Sequence, residues 1–135
     1  MDTMTFEIET GSSRRIMDLT GQVRDFCRGR GDGLVSVFLP HATAGVALIE
    51  TGAGSDTDLL DAIDDVLPAE RGRWHHEHGA PGHGRDHVLP AFISPSLVIP
   101  VVGGDLQIGT WQSVTVVDTN VDNQRRTVLL SFLAG

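Results

Sequence analysis

Lysine is absent from this chain: all ten of its basic residues are arginine. That excludes a lysine Schiff base, a P-loop lysine and a lysine general base, so any anion gripped by a side-chain charge must be gripped by Arg. Cysteine occurs once, at Cys27, which rules out an intrachain disulfide and a cysteine-based zinc cluster. Tyrosine is missing and aromatics make up 5% of the chain, leaving the core to be filled by Val, Leu, Ile and Ala. No apolar run approaches the ~20 residues a membrane-spanning helix requires. Basic charge is scarce as well: 10 basic against 18 acidic residues give a net charge of -8, which repels a phosphodiester backbone and argues against nucleic-acid binding. The opening MDTMTFEIETG has neither the basic nor the apolar part of a secretory leader, so a cytoplasmic protein is expected.

What remains is a chain of 135 residues and 14.5 kDa with a mean hydropathy of -0.01, the size and balance of one globular domain spanning residues 1–135. Residues 5–10 alternate Phe6 and Ile8 with Glu7 and Glu9, a half-buried strand, and the turn Gly11-Ser12-Ser13 suggests a hairpin with residues 14–17. Leu19, Val23, Phe26 and Cys27 recur at helical spacing behind the caps Asp18 or Thr20. Residues 34–39 and 46–49 read as strands around Pro40–Gly45. A second amphipathic helix, capped by Ser55 or Asp56, carries Leu59, Leu60, Ile63, Val66 and Leu67 and stops at Pro68, with Asp58, Asp61, Asp64 and Asp65 on its solvated face. Residues 69–90 show no sustained period and are read as an ordered site loop. Beyond it, residues 96–102, 105–117 and 127–132 are rich in β-formers. The sum is an antiparallel α+β layer with two helices.

Five of the six histidines fall between His75 and His87. Imidazole is the commonest metal ligand and titrates near neutrality, so the cluster suits a metal or acid–base chemistry; a flexible solvated loop is the plain alternative. His41 stands at a strand end beside a small-residue turn, and is either a cleft residue or a hydrogen-bonded structural histidine. Glu50 is an edge carboxylate, a ligand or a general base. Within Gly109-Thr110-Trp111-Gln112, Trp111 offers a ring face to a heterocycle and Gln112 both donates and accepts, although a strand Trp usually belongs to the core. Ser96, Arg125 and Arg126 are candidates for phosphate oxygens.

These residues resemble the YjbQ-like family, the secondary thiamine-phosphate synthases. His41-Ala42-Thr43-Ala44 with Glu50 matches the first family element, apart from Ala42. Trp74-His75-His76 with His87 and Pro95-Ser96-Leu97 matches the second, and Gly109–Gln112 matches the third without change. The resemblance implies a two-layer, mostly antiparallel β-sandwich with helices, assembling as a homotrimer with a site near the subunit boundaries. It also implies weak thiamine-phosphate synthase activity, joining a hydroxymethylpyrimidine diphosphate to a thiazole phosphate with loss of pyrophosphate. The family's lysine after the second histidine is here Leu89, so no role of that lysine transfers.

Two functions follow. In the first, an enzyme, His41, His76, His87 and Glu50 are catalytic, with His41, His76 and His87 converging on a divalent metal, while His75, His78 and His83 surround them. Thr110, Trp111, Gln112 and Ser96 bind a phosphorylated heterocyclic metabolite, and Arg85 or Arg125 neutralises its diphosphate. In the second, the same pocket holds a metal or phosphometabolite without turnover. Zinc is the expected ion, with magnesium entering only on a diphosphate substrate.

Overall fold

A computed structural model describes residues 1–135. Eight strands are drawn into two antiparallel sheets. The larger sheet has the order β1-β8-β3-β5-β6, built from β1 (Asp2–Glu9), β3 (Gly33–Phe38), β5 (Ser96–Val102), β6 (Asp105–Leu106) and β8 (Arg125–Ala134). The smaller is β2-β7-β4, from β2 (Arg15–Asp18), β4 (Ala44–Ile49) and β7 (Ser113–Asp118). Two helices, α1 (Thr20–Cys27) and α2 (Ser55–Val66), and two single turns, α3 (His83–Asp86) and α4 (Leu89–Phe92), complete the chain. The expected α+β class with facing antiparallel sheets holds.

The period-2 pattern carries the packing. Ile8, Val35, Val37, Ile99, Val101, Val128, Leu130 and Phe132 point inward from the large sheet, and Ala44, Val46, Val114 and Val116 meet them from the small one. Leu19, Val23, Phe26 and Cys27 of α1 close one side. A second cluster, Ile63, Leu67, Leu89 and Val117, seats α2 and α4 on the opposite face of the small sheet. β7 is therefore covered on both faces, which accounts for its unbroken burial from Val114 to Asp118. The large sheet has no such cover: Leu34, Phe38, Val98, Val102 and Leu133 are exposed on its outer face.

Three local expectations fail. β1 pairs with β8 and β2 with β7, so Gly11–Ser13 carries the chain from one sheet to the other and no hairpin forms. The run 105–117 is interrupted between β6 and β7, and Gly109–Gln112 forms a turn closed by Gln112 N–H donating to the Gly109 carbonyl at 3.0 Å. Neither Ser55 nor Asp56 caps α2, which begins after Gly54 at φ 108°, a conformation that favours glycine.

Where the two sheets meet at one end, a buried polar strut replaces apolar packing. Arg126 and Asp118 are each 1% exposed. The guanidinium donates from Nε to Asp118 Oδ2 at 2.7 Å and from Nη2 to Asp118 Oδ1 at 3.0 Å and Thr43 Oγ1 at 2.9 Å. The pair is bidentate, with a third bond to Thr43, and such pairing offsets the cost of burying the charges.

Candidate metal centre

The histidine-rich segment is organised by backbone approach. Gly82, at φ 91°, turns the chain into α3, and a Cβ added at Gly84 would stand 2.5 Å from the His76 carbonyl oxygen and 2.6 Å from Trp74 Cβ. Glycine at 84 thus lets α3 lie directly on the strip 74–76, itself held by Trp74 Nε1 donating to the Pro68 carbonyl at 2.8 Å. His83 opens α3 and His87 follows its last residue, four positions on and so on the same face. His76 is brought against both.

The ring centroids of His76 and His87 lie 4.4 Å apart, those of His83 and His87 4.9 Å, and those of His78 and His83 4.1 Å, tilted at 42°. One ligand nitrogen each from His76, His83 and His87 falls within 4.8 Å of the others. His83 Nε2 and His87 Nε2 are 3.2 Å apart. Two nitrogens bound at ~2.0–2.1 Å to one tetrahedral ion stand ~3.3 Å apart, so this pair already has the spacing of a metal site. Three neutral imidazoles fit zinc or another borderline transition metal, whereas magnesium needs oxygen ligands the group lacks. Three protein ligands also leave a fourth position open, as in catalytic zinc sites.

At His87 the environment favours the neutral imidazole. His87 is held below its usual range, first by loss of solvation and then by the neighbouring His76 and His83. On the other side, Asp122 Oδ2 accepts from His83 Nδ1 at 2.8 Å, and that hydrogen bond holds the Asp122 carboxyl below the ordinary carboxylate range.

Beneath the cluster lies a buried carboxylate. Asp86 Oδ1 accepts from Thr119 Oγ1 at 2.6 Å and Arg85 Nε at 2.8 Å, and Oδ2 from Asn120 Nδ2 at 3.2 Å. Burial raises the Asp86 carboxyl, opposed by these donors. Arg85 also donates from Nη1 to Asp64 Oδ1 at 3.0 Å and to the Leu67 carbonyl at 2.9 Å, tying α3 to α2.

Several expected site residues lie elsewhere. His41 is not among the converging ligands, because its Nε2 accepts the Thr127 N–H at 2.8 Å and the residue serves the sheet junction. Arg85 is buried and spends Nε on Asp86 and Nη1 on Asp64 and the Leu67 carbonyl, so it serves the junction of α3 with α2. Arg125 is exposed, 3.5 Å from Glu9. Glu50 follows β4 outside the metal group, and Ser96 starts β5 with its hydroxyl 3.4 Å from that of Ser94. Thr110, Trp111 and Gln112 sit in the exposed turn, where Trp111 is 73% exposed and Gln112 Oε1 accepts from Gly109 N–H at 2.7 Å. Nor do the histidines line a pocket: the three clefts of the chain are walled by other residues, and the cluster opens at the surface. Conversely, His83, expected only in the surroundings, is one of the three histidines that converge and could hold an ion, as its spacing of four from His87 signals. Asp122, 35 residues after His87, carries no local signal at all.

His41 yields a measurable consequence. Desolvation, then the Arg126 guanidinium, lowers its pKa from the ordinary 6.5, against the opposing pull of Asp118. The unfolded chain therefore takes up this proton first as the pH falls, so stability present above about 6.5 is lost below it. Urea unfolding at pH 7.5 and 5.5 is expected to show a smaller acid loss in His41→Asn, whose side-chain oxygen still accepts from Thr127, than in the native protein. An equal loss would refute this account of His41.

Residues 4–135 match the model of the family described as UPF0047 protein YjbQ-like. The chain belongs to this family. Among YjbQ-like relatives, the UPF0047 protein Rv2556c of Mycobacterium tuberculosis is 56% identical over 135 residues, covering 100% of both chains. A UPF0047 protein of Archaeoglobus fulgidus is 29% identical over 93% of this chain and 98% of its own. Of solved structures, hypothetical protein APE1520 from Aeropyrum pernix superposes with a TM-score of 0.88 at 33% identity over 100% of both chains. A YbjQ-like protein of unknown function from Sulfolobus solfataricus reaches 0.91 at 24% identity over 99% of this chain and 97% of its own, a likeness of fold. No helix of the chain is long and apolar enough to cross a membrane.

Proposed function

We propose that this YjbQ-like protein binds a divalent transition metal, zinc foremost, on His76, His83 and His87, and uses the open side of that site to take the phosphate end of a small heterocyclic metabolite. The observation that carries the reading is the convergence of the three imidazoles, with one nitrogen pair 3.2 Å apart. The reaction implied by the family resemblance is weak thiamine-phosphate synthesis, a transferase step. In it a thiazole nitrogen forms a bond to the pyrimidine methylene carbon while the bond from that carbon to the diphosphate oxygen breaks and pyrophosphate leaves. Pyrophosphate departs only if its charge is neutralised. With Arg85 and Arg126 held by internal carboxylates and lysine absent, few cations remain near the cluster, Arg71 and Arg73 just ahead of Trp74 among them. A bound divalent ion, or magnesium carried in on the diphosphate, supplies that charge.

The open surface of the cluster and the exposed Trp111 turn also support a homotrimer in the cytoplasm, in which the turn of one chain faces the histidines of another and its ring stacks on the heterocycle. The uncovered outer face of the large sheet, with Val98 62% and Leu133 56% exposed, is the natural contact surface. The scarcity of free cations supports a second reading, in which metal and metabolite are held without turnover.

The test is an assay of untagged protein with the two thiamine precursors, with and without zinc or magnesium, beside elemental analysis and sedimentation. Metal-dependent product from a three-chain species supports the enzyme. Metal uptake without product supports the binding protein. Less than a tenth of an equivalent of metal after soaking in zinc at pH 7.5 overturns both readings of the site, and a 14.5 kDa species alone removes the trimer.

A further inference from the structure

We propose that Asp122 is the positioning residue of the metal centre: it fixes the His83 imidazole with its proton on Nδ1 and its bare Nε2 turned to the ion, and so sets metal affinity. The inference rests on the reading of His76, His83 and His87 as ligands. Asp122 stands far from them in sequence and meets the site by only one side chain, His83.

The geometry is one-directional. An ionised carboxylate only accepts, so at 2.8 Å from Oδ2 it is His83 Nδ1 that carries the hydrogen. In the neutral form of that ring Nε2 is a lone-pair donor, and it lies 3.2 Å from His87 Nε2. With His83 in that form, the short approach has His87 carrying its proton on Nε2 and donating it to His83. To hold an ion, His87 would need its proton on Nδ1, whereas His83 in this form already presents a bare Nε2. His83 is thus the preorganised ligand and His87 the one that adapts. A carboxylate on the far nitrogen also makes the imidazole a stronger electron donor, the usual arrangement behind a metal-bound histidine.

The carboxylate is itself anchored. Oδ1 of Asp122 accepts the Ala80 N–H at 3.2 Å, tying the segment between His78 and His83 to the same group. The Asp122 N–H donates to Asn120 Oδ1 at 3.1 Å, and Asn120 is pinned through its N–H to Asp118 Oδ1 at 2.9 Å and through Nδ2 to Asp86. A polar scaffold, buried as far as Asn120 and surfacing at Asp122, thus runs from the sheet junction to one ring nitrogen. At Gly79, φ 68°, an added Cβ would stand 2.8 Å from Asp122 Oδ2, so the chain passes close over the carboxylate.

Two measurements test the assignment. The first needs no metal: nitrogen-15 shifts of His83 in the metal-free protein at pH 7.5 are expected to show the Nδ1–H tautomer, lost in Asp122→Asn. An Nε2–H tautomer in the native protein overturns the proposal. The second is zinc affinity by competition with a chromophoric chelator, with cobalt substitution reporting coordination geometry. Asp122→Asn keeps one acceptor for the Ala80 N–H and is expected to bind zinc ~10–100-fold more weakly, with an unchanged melting temperature of the metal-free protein. Asp122→Glu, which restores a carboxylate, is expected to recover part of that loss. Equal zinc affinity in the native protein and Asp122→Asn overturns the proposal. If the native protein takes up neither zinc nor cobalt while the tautomer is as expected, it is the reading of the histidines as ligands that fails.

Discussion

Replacing Asp118 by alanine is expected to cost about 3–5 kcal/mol of unfolding stability, because it removes the carboxylate partner of a guanidinium that has no route to water. Arg126 lies in β8 facing the end of β7, and apart from Asp118 its only side-chain partner is the Thr43 hydroxyl. Once Asp118 is gone, Arg126 keeps its charge, since guanidinium does not deprotonate in proteins, and the desolvation penalty stands uncompensated. The Asn120 N–H also loses its acceptor. Against the ~5–15 kcal/mol of an ordinary domain, the variant is marginal. Denaturant unfolding monitored by circular dichroism measures the loss. Asp118→Leu combined with Arg126→Leu is expected to regain most of it, because the charge leaves with its partner. A loss below 1 kcal/mol in Asp118→Ala would show that the strut is not what joins the sheets at this end.

The second large effect is on metal binding. His87→Ala is expected to lower zinc affinity by more than the ~10–100-fold that a lost supporting partner costs, because it deletes a ligand itself. The metal-free variant keeps its melting temperature, since His87 is an exposed side chain outside both apolar clusters. His75→Ala serves as the control. His75 belongs to the same run, yet it takes part in none of the ring contacts and is not one of the converging ligands, so its removal leaves affinity unchanged. Zinc titration against a chelator compares the three proteins. Native affinity in His87→Ala, or a loss in His75→Ala as large, would sink the ligand assignment.

How far the chain discloses itself depends on the range of each interaction. The strands β1, β3, β5 and β8 and both longer helices follow from periods of two and 3.6, which reflect nothing beyond which side of an element faces the core. The false hairpin between β1 and β2 marks the limit. Gly11-Ser12-Ser13 permits a reversal or a crossing equally well, and the choice belongs to β7 and β8, whose edges compete for the two strands more than 90 residues further on. Trp111 was misplaced for a related reason. Its neighbours suit a strand, but Gln112 folds back onto Gly109 and takes the turn out of the sheet.

The site divides the same way. The amino-acid sequence by itself pointed to histidine as the candidate chemistry, since five of the six histidines cluster, lysine is absent and the lone cysteine can form neither a disulfide nor a cysteine zinc cluster. It determined the segment as well, and the His83–His87 spacing contained one ligand pair, because a turn of helix is a local object. Tertiary structure alone decided the rest. It sent His41 to the sheet junction, spent Arg85 and Arg126 on internal carboxylates, and brought Asp122 from the β7–β8 connection to the back of His83. Those outcomes turn on which charges the fold buries and must therefore pair, and burial depends on the packing of the whole chain, which no local window of residues records.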